Sequence, residues 1–277
     1  MKIARKQDFL AAVLTAAIVS ASTLTAAVAQ PPGDVPEILP GLLKGYLPWD
    51  ALPNSLALLP PPPPVGSAAY ALDEEVARQS VALRGTPRWA QATVDADLHF
   101  PDAAGIFSCA LNAPISRERT PRLYVLLRRT LTDVGLSTAA AKDHYQRTRP
   151  FAANNEPICT PTERAALAND GSYPSGHTAV GWAWALILSE IAPAQTNAVI
   201  ARGTAFGESR NVCNVHWHSD VVQGRVMGAA TLARMHAEPA FRADVEAAKL
   251  ELADVRARDV EVRRDCAGEA AALAFGR

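Results

Sequence analysis

The 277-residue chain has little cysteine, no excess of charge of either sign and, beyond its first 29 residues, no long apolar run. Its 27 basic and 28 acidic side chains nearly cancel, whereas nucleic-acid-binding proteins carry a clustered positive excess. A membrane-spanning helix needs about 20 consecutive apolar residues, which the sequence after residue 29 does not offer. The sequence therefore predicts neither a nucleic-acid-binding protein nor a protein that crosses a membrane several times.

The chain also lacks the spacing of metal ligands and the alternation of strands. Its four cysteines form no C-x-x-C pair and no cluster with histidine, so we predict no metal site and no cofactor. No segment alternates apolar and polar residues as a half-buried strand does, and no internal repeat is visible. The sequence instead predicts an all-α protein.

The first 29 residues have the three parts of a secretory signal peptide. A basic start over residues 2–6 precedes an apolar run over 9–28, which ends in the small-residue site Ala27-Val28-Ala29. We predict cleavage before Gln30 and export of the mature chain; a retained membrane anchor is the alternative. Cleavage leaves 24 basic and 27 acidic side chains, so any anion-binding site must concentrate its positive charge locally.

Composition divides the remaining chain into two parts. Residues 30–66 are rich in proline, so we interpret them as an extended arm rather than a helix. Residues 67–277 are interpreted as a single α-helical domain, long enough to bury a full core. Apolar spacing and breaker residues predict helices over 68–94 with a break near Gly85, and then over 121–135, 137–145, 178–191, 195–208, 219–236 and 245–264.

Three clusters place charged side chains beside turns, and together they fit a phosphate group. Arginine meets a phosphate dianion with a planar fork, and lysine adds a compact charge. Two small residues lie just before the predicted helix at 178, where free N–H groups and the helix dipole favour an anion. The clusters are Lys142-x6-Arg149-Pro150, the segment 171–178 (GSYPSGHT) and Ser209-Arg210-x5-His216-x3-Asp220. We predict that phosphate is bound by Lys142, Arg149, Ser175, Gly176 and Arg210.

The same clusters supply a nucleophile and a proton donor. His216 and Asp220 are four residues apart, so on a helix they share one face and can form a hydrogen bond. That bond sets the tautomer of His216 and leaves its other ring nitrogen free to attack phosphorus. His177 lies at the mouth of the anion site, where it can protonate the departing alkoxide and then activate water. We predict a phosphohistidine intermediate on His216.

An even number of cysteines in an exported protein indicates two disulfide bonds. Four cysteines allow three pairings. Cys159 and Cys213 each lie beside a motif that must contribute to one pocket, which favours Cys159–Cys213 together with Cys109–Cys266.

In this order and with these gaps, the three clusters resemble the signature of the PAP2 phosphatase and vanadium haloperoxidase superfamily. The segment 171–178, the run Leu58 to Pro63 and the sequence HWHSD from His216 to Asp220 resemble the bacterial class A non-specific acid phosphatases within it. The resemblance extends from about Leu39 to Ala237 and does not cover the C-terminal segment.

The resemblance implies a helical bundle core of the PAP2/haloperoxidase type, a periplasmic location and metal-independent hydrolysis of small phosphate monoesters. It implies that His216 is the nucleophile, that His177 is the acid and that Asp220 orients His216. A phosphohistidine would also pass its phosphoryl group to alcohols as a side activity. No membrane contact is expected after signal cleavage. The sequence determines neither the physiological ester nor the oligomeric state, and it is compatible with a homo-oligomer.

Other activities fit the same residues. Vanadate would occupy the same site with His216 bonded to vanadium, so a vanadium-dependent haloperoxidase is the alternative function. Another PAP2-type phosphatase that acts on lipids would resemble proteins with several membrane spans, which this chain lacks. A phosphate-binding protein without activity would need neither His177 nor His216.

Overall fold

Helices form almost all of the regular structure in the computed structural model, which describes residues 35–275. The predicted signal peptide lies outside the described residues. Two short strands, β1 (Glu37–Leu39) and β2 (Leu42–Leu43), pair in antiparallel fashion. The α-helices are α1 (Ser55–Leu58), α2 (Ala68–Val81), α3 (Pro87–Asp95), α4 (Ser108–Leu111), α5 (Pro121–Ser137), α6 (Ala139–Tyr145), α7 (Pro150–Asn154), α8 (Arg164–Ala168), α9 (Gly176–Ile191), α10 (Thr196–Val212), α11 (His218–Met235), α12 (Pro239–Ala257) and α13 (Cys266–Ala274). The all-α prediction is confirmed.

Helix α9 is the centre of the bundle. Its sequence is apolar on nearly every side because α5, α10, α11 and α12 all pack against it. Trp184, in the middle of α9, is fully buried, and its indole Nε1 donates to the Leu127 carbonyl oxygen of α5 at 3.1 Å. The prediction of a central buried helix over 178–191 is confirmed.

The crossing of α11 over α9 places the start of α9 beside the start of α11. A Cβ atom at Gly224 would lie 2.6 Å from the carbonyl oxygen of Ser175, so α11 can approach this closely only with glycine there. One turn earlier on α11, the carbonyl oxygen of Asp220 accepts a hydrogen bond from the Ser175 N–H at 3.0 Å. Two of the three sequence clusters are therefore joined through backbone.

The start of α5 is capped by a distant residue. A threonine directly before a proline predicts a side-chain cap for this helix, but that prediction is wrong for Thr120. Its hydroxyl donates to the Pro114 carbonyl oxygen at 3.1 Å and accepts no hydrogen bond from the helix. Glu251 of α12 instead accepts from the N–H groups of Arg122 and Leu123 at 3.0 Å each. This cap couples α5 to α12, because it satisfies free donors of one helix with a side chain of the other.

The structure differs from the predictions at several helices. Residues 154–173, where the sequence predicts no helix, contain α8, and the C-terminal segment contains α13, which was not predicted. Helix α10 ends at Val212 rather than at 208. Helix α12 begins at Pro239 rather than near 245 and ends at Ala257. Pro at the first helical position explains the earlier start, because its ring presets the helical φ angle there.

The described part of the proline-rich arm, residues 35–66, is mostly extended but contains the strands β1 and β2 and the one-turn helix α1. It is bound along α5 and α6. The N–H of Tyr46 donates to Asp133 at 2.7 Å, and the Ser55 hydroxyl accepts from the Ala141 N–H at 3.0 Å. The hydroxyl of Tyr173 donates to the Pro60 carbonyl oxygen at 2.6 Å, so the arm also supports the 171–178 segment.

Two disulfide bonds are present, Cys159–Cys213 and Cys109–Cys266. This is the pairing that the sequence favours. The first bond connects the segment before α8 to the end of α10, close to the loop that carries His216. The second connects α4 to the start of α13, which anchors the C-terminal helix on the domain.

Candidate active site

The fold brings the three sequence clusters together at the N-terminal end of α9. Cluster one lies on α6 and the segment that follows it, cluster two forms the turn into α9, and cluster three spans the end of α10 and the start of α11. The tight turn after α10 is held by the carbonyl oxygen of Arg210, which accepts from the N–H groups of Val215 and His216 at 3.2 and 3.3 Å.

The hydrogen bonds of His216 define its tautomer. Its Nε2 lies 3.1 Å from Nη1 of Arg149, and because a guanidinium can only donate, Nε2 must accept. The ring proton is therefore on Nδ1, which faces Oδ2 of Asp220 at 3.3 Å. His216 is 3 % exposed and Asp220 is fully buried. The unprotonated nitrogen of His216 thus points toward basic side chains, the orientation that attack on a phosphate requires.

Arg149 is held rigidly by backbone carbonyl groups. Its Nε donates to the carbonyl oxygens of Leu167 and Asp170 at 2.8 and 3.0 Å, and Nη1 donates to the Val215 carbonyl oxygen at 2.9 Å. Lys142 is fixed in a similar way, because its Nζ donates to the Gly171 carbonyl oxygen at 2.5 Å. Burial lowers the pKa of both side chains, and their mutual repulsion lowers that of Lys142 further.

Arg210 has the fewest partners of the three basic side chains. It is 1 % exposed, and its Nε and Nη1 atoms are buried without a hydrogen-bond partner among the described residues. Burial and the nearby Arg149 lower the pKa of Arg210 to about 10. A buried donor without a partner costs about 1–3 kcal/mol, so this side chain is preorganised for an anion that would accept from it.

The turn into α9 presents a helix N-terminus to the same space. The Ser175 side chain caps α9 by accepting from the Thr178 N–H at 3.2 Å. The N–H groups of Gly176 and His177 precede the first intrahelical bond, so the helix itself cannot satisfy them. A Cβ atom at Gly176 would have a single neighbour within 4 Å, the Thr138 hydroxyl, which leaves room beside this backbone for a ligand.

The second predicted catalytic histidine, His177, is also held by one defined bond. Its Nε2 lies 2.8 Å from the Ala96 carbonyl oxygen, which can only accept, so Nε2 carries a proton. Nδ1 is then the atom that gains or loses the second proton. Burial and the charge of Arg210 lower the pKa of His177 well below its ordinary value.

Burial, followed by Arg149, Lys142 and Arg210, lowers the pKa of His216 as well. The neutral state that the sequence-based mechanism needs for His216 agrees with this direction. The protonated state that it needs for His177 does not, because the protein's own groups favour a neutral His177. The pKa of Asp220 is raised by burial, an effect that Arg147 opposes.

No role was predicted from the sequence for three charged residues of the site, which are Arg147, Asp73 and Asp170. Arg147, within the gap of the first cluster, donates to Asp220 at 2.6 Å, and it donates to Asp73 of α2 at 2.7 Å. Asp170 accepts from Arg149 at 2.7 Å and from Lys142 at 3.2 Å, so a carboxylate already neutralises part of the predicted phosphate site. Only the position of Arg147, between two residues of a recognised motif, was a signal in the sequence.

A cavity of about 270 Å³ adjoins the site, and Gly176, His177 and Lys142 are part of its lining. Aliphatic side chains line it as well, including Leu98, Leu131, Leu136 and Val180. An aliphatic lining can contact an apolar group without adding charge.

Comparison with known proteins identifies the family. Residues 123–242 match the model of the PAP2 superfamily, and this range includes every predicted site residue. The chain is 40 % identical to the non-specific acid phosphatase of Providencia stuartii over 251 residues, which covers 90 % of this chain and 99 % of the relative. It is 43 % identical to the non-specific acid phosphatase of Salmonella typhimurium over 202 residues, or 73 % of this chain and 81 % of that relative.

A third relative, the acid phosphatase of Zymomonas mobilis, is 40 % identical over 203 residues, 73 % of this chain and 77 % of the relative. The chain belongs to the class A acid phosphatases of the PAP2 superfamily. It is thus an acid phosphatase, a phosphoric monoester hydrolase, and the resemblance drawn from the three clusters is confirmed. Within residues 35–275, no helix of this phosphatase is both long and apolar enough to cross a membrane.

Proposed function

We propose that this phosphatase hydrolyses small phosphate monoesters in the periplasm through a phosphohistidine on His216. The observation that carries the proposal is the tautomer of His216. Its unprotonated Nε2 faces Arg149, and its protonated Nδ1 faces Asp220. A neutral imidazole in this orientation is ready to attack, and Asp220 stabilises the positive charge that develops on the ring.

In the first step, Nε2 of His216 forms a bond to phosphorus, and the ester P–O bond breaks. The departing alkoxide takes the proton from Nδ1 of His177 and leaves as the alcohol. In the second step, water gives a proton to Nδ1 of His177 and attacks phosphorus, the P–N bond breaks, and inorganic phosphate is released. An alcohol in place of that water yields a new phosphate ester, which is the proposed phosphotransfer activity.

The proposal assigns the protonation of His177 to the enzyme–substrate complex. Burial and Arg210 hold the pKa of His177 low in the protein alone. A phosphate dianion beside the ring acts in the opposite direction, because an opposite charge favours the imidazolium. Substrate binding would therefore create the general acid that its own cleavage needs.

Positive charge for the transition state is proposed to come from Lys142, Arg149 and Arg210 and from the N-terminus of α9, without a metal ion. Phosphoryl transfer depends chiefly on such positioning and charge stabilisation. The two disulfide bonds support the periplasmic location, since disulfides persist in oxidising compartments. Activity is expected to survive dialysis against a chelator, and a loss that zinc or magnesium restores would contradict the metal-free mechanism.

The test separates the two histidines by rapid-quench trapping of phosphoenzyme. His216→Asn should abolish turnover and labelling with every substrate. His177→Ala should still form phosphoenzyme from p-nitrophenyl phosphate, whose leaving group needs little protonation, but hardly any from an alkyl phosphate. The exposed His144→Asn is the matched control and should behave as wild type.

Labelling of His216→Asn together with loss of labelling in His177→Ala would reverse the two roles. If the wild-type enzyme turns over but no phosphoenzyme can be trapped and no phosphorylated alcohol forms at high acceptor concentration, direct attack by water replaces the phosphohistidine.

A further inference from the structure

Helix α2, remote in sequence from every cluster, sends one carboxylate into the active-site region. Asp73 is 1 % exposed. Its Oδ1 accepts from the N–H of Ser219 at 2.7 Å, and its Oδ2 accepts from the Ser219 hydroxyl at 2.7 Å. Ser219 lies in the first turn of α11, so Asp73 caps the helix that carries Asp220.

The guanidinium of Arg147 lies between Asp73 and Asp220. Nη2 donates to Oδ2 of Asp73 at 2.7 Å, and Nη1 donates to Oδ1 of Asp220 at 2.6 Å and to the Ser219 hydroxyl at 2.7 Å. The planar group also lies 5.4 Å from the ring of Trp217. Both carboxylates are buried, so Arg147 is their shared counter-charge.

The two oxygens of Asp220 have separate partners. Oδ1 accepts from Arg147, whereas Oδ2 faces Nδ1 of His216 and accepts from the Trp217 N–H at 2.8 Å. Occupation of Oδ1 by a fixed donor prevents the carboxylate from turning away from His216. We propose that Arg147, held by Asp73, is a positioning residue that keeps Asp220 ionised and its Oδ2 aligned with His216, an inference that rests on the proposed phosphohistidine mechanism.

Charge supports the same role. Burial raises the pKa of Asp220, and Arg147 is the largest influence in the opposite direction. A neutral Asp220 could no longer stabilise the positive ring of a phosphohistidine. Hydrogen bonds from the Trp217 N–H and the Ser172 side chain lower the pKa of Asp220 as well. The titratable neighbours of Asp220 in the site are Lys142, Arg149, Tyr173 and His216, and Asp73 lies on the other side of Arg147.

The test uses two substitutions that should move the pH profile in opposite directions. Arg147→Met removes the counter-charge, so Asp220 should remain protonated to higher pH and the acid limb of kcat should move upward. Asp73→Asn removes the competing carboxylate and leaves the charge of Arg147 to Asp220 alone, so the acid limb of kcat should move downward. Damage to the fold alone would not separate the two variants by sign.

Arg147→Met should lower kcat by about 10- to 100-fold, by analogy with the loss seen when residues that orient metal-ligating histidines are removed. The dissociation constant of inorganic phosphate, measured by calorimetry, should change little, because Arg147 does not face the phosphate site. Arg147→Lys keeps the charge and should restore the acid limb. Arg164→Met is the matched control, since Arg164 also stacks on an aromatic ring, that of Phe151, but does not contact Asp220.

The inference is overturned if Arg147→Met leaves kcat and the acid limb unchanged, or if Arg147→Lys recovers nothing. It is also overturned if Arg147→Met weakens phosphate binding as much as it lowers kcat. If Arg147→Met does not fold, the shift of the acid limb of kcat in Arg147→Lys and Asp73→Asn tests the inference instead. Failure of the proposed function is distinguishable, because it would appear in the wild-type enzyme as turnover without a phosphoenzyme.

Discussion

Two arginines on helix α10 show how one residue type serves the fold or a ligand. Arg202 and Arg210 lie about two helical turns apart, and both are buried. Arg202 contacts the carboxylates of Asp95 and Glu269, and Asp95 raises its pKa although burial alone would lower it. Arg210 has two nitrogens without a partner among the described residues, and its pKa is lowered to about 10.

The difference lies in the neighbours and not in the burial. The cluster around Arg202 is closed, because Asp95 also accepts from the Ser209 hydroxyl at 2.6 Å and each buried charge has an opposite charge beside it. The cluster around Arg210 contains Arg149 and Lys142, so positive charges accumulate in one pocket. A protein tolerates that accumulation where an external anion completes it, as phosphate does in the proposed mechanism.

The largest effect is expected when the cluster around Arg202 loses its positive charge. Arg202→Met leaves the buried carboxylate of Asp95 without its counter-charge and should lower the free energy of unfolding by about 3–5 kcal/mol. Chemical denaturation monitored by circular dichroism measures this loss. Arg210→Met is the matched control on the same helix, and equal destabilisation of both variants would remove the distinction between the clusters.

The same substitution at Arg210 should affect phosphate binding instead of folding. Arg210→Met removes a buried charge that has two nitrogens without a hydrogen-bond partner among residues 35–275, so the free energy of unfolding should stay constant or rise. Phosphate should bind less tightly by about 1.5–3 kcal/mol, the contribution of a charged hydrogen bond, which is on the order of a 10- to 100-fold change in Kd. Calorimetric titration with inorganic phosphate tests this. Unaltered affinity would show that Arg210 does not face the anion.

The pH profile offers a third test of the comparison. Burial and Arg149 lower the pKa of His216, which must be neutral to attack, so the acid limb of kcat/KM should lie below the ordinary histidine pKa of about 6.5. Arg210→Met removes one of the charges that lower this pKa and should move the limb upward. A conservative Arg202→Lys variant should not move it. An acid limb of the wild type above 7 would contradict a depressed His216 pKa.

The smallest expected effect concerns Asp170, a carboxylate that neutralises part of the positive charge around Arg210. Asp170 accepts from Arg149 and Lys142, and a bound phosphate must compete with it. Asp170 is half exposed, so Asp170→Asn should tighten phosphate binding by only about 0.2–1 kcal/mol, or up to about fivefold. The neighbouring Asp143→Asn has the same charge change at an exposed position without these contacts and should leave the Kd unaltered. Weaker binding in Asp170→Asn would assign Asp170 to ligand positioning.

Sequence alone was sufficient for the features whose parts lie close together in the chain. The pair His216 and Asp220 is separated by one helical turn, and the turn into α9 is encoded by consecutive residues. Local spacing therefore predicted the three clusters, the buried helix α9 and the break between α2 and α3. It was less reliable where propensity is weak, and it missed the one-turn helix α8 and the C-terminal helix α13.

Only the tertiary structure decided which charges meet. Arg147 contacts Asp73 across 74 residues, Arg122 is capped by Glu251 across 129, and Arg202 pairs with Asp95 across 107. Nothing in the sequence shows that Arg202 forms ion pairs while two nitrogens of Arg210 have no partner within the described part of the chain, because the partners of Arg202 lie on other helices that packing brings close. Residue type and local spacing determine which chemistry is available. The distances that make one buried arginine structural and the other ready for an anion arise only when the helices pack.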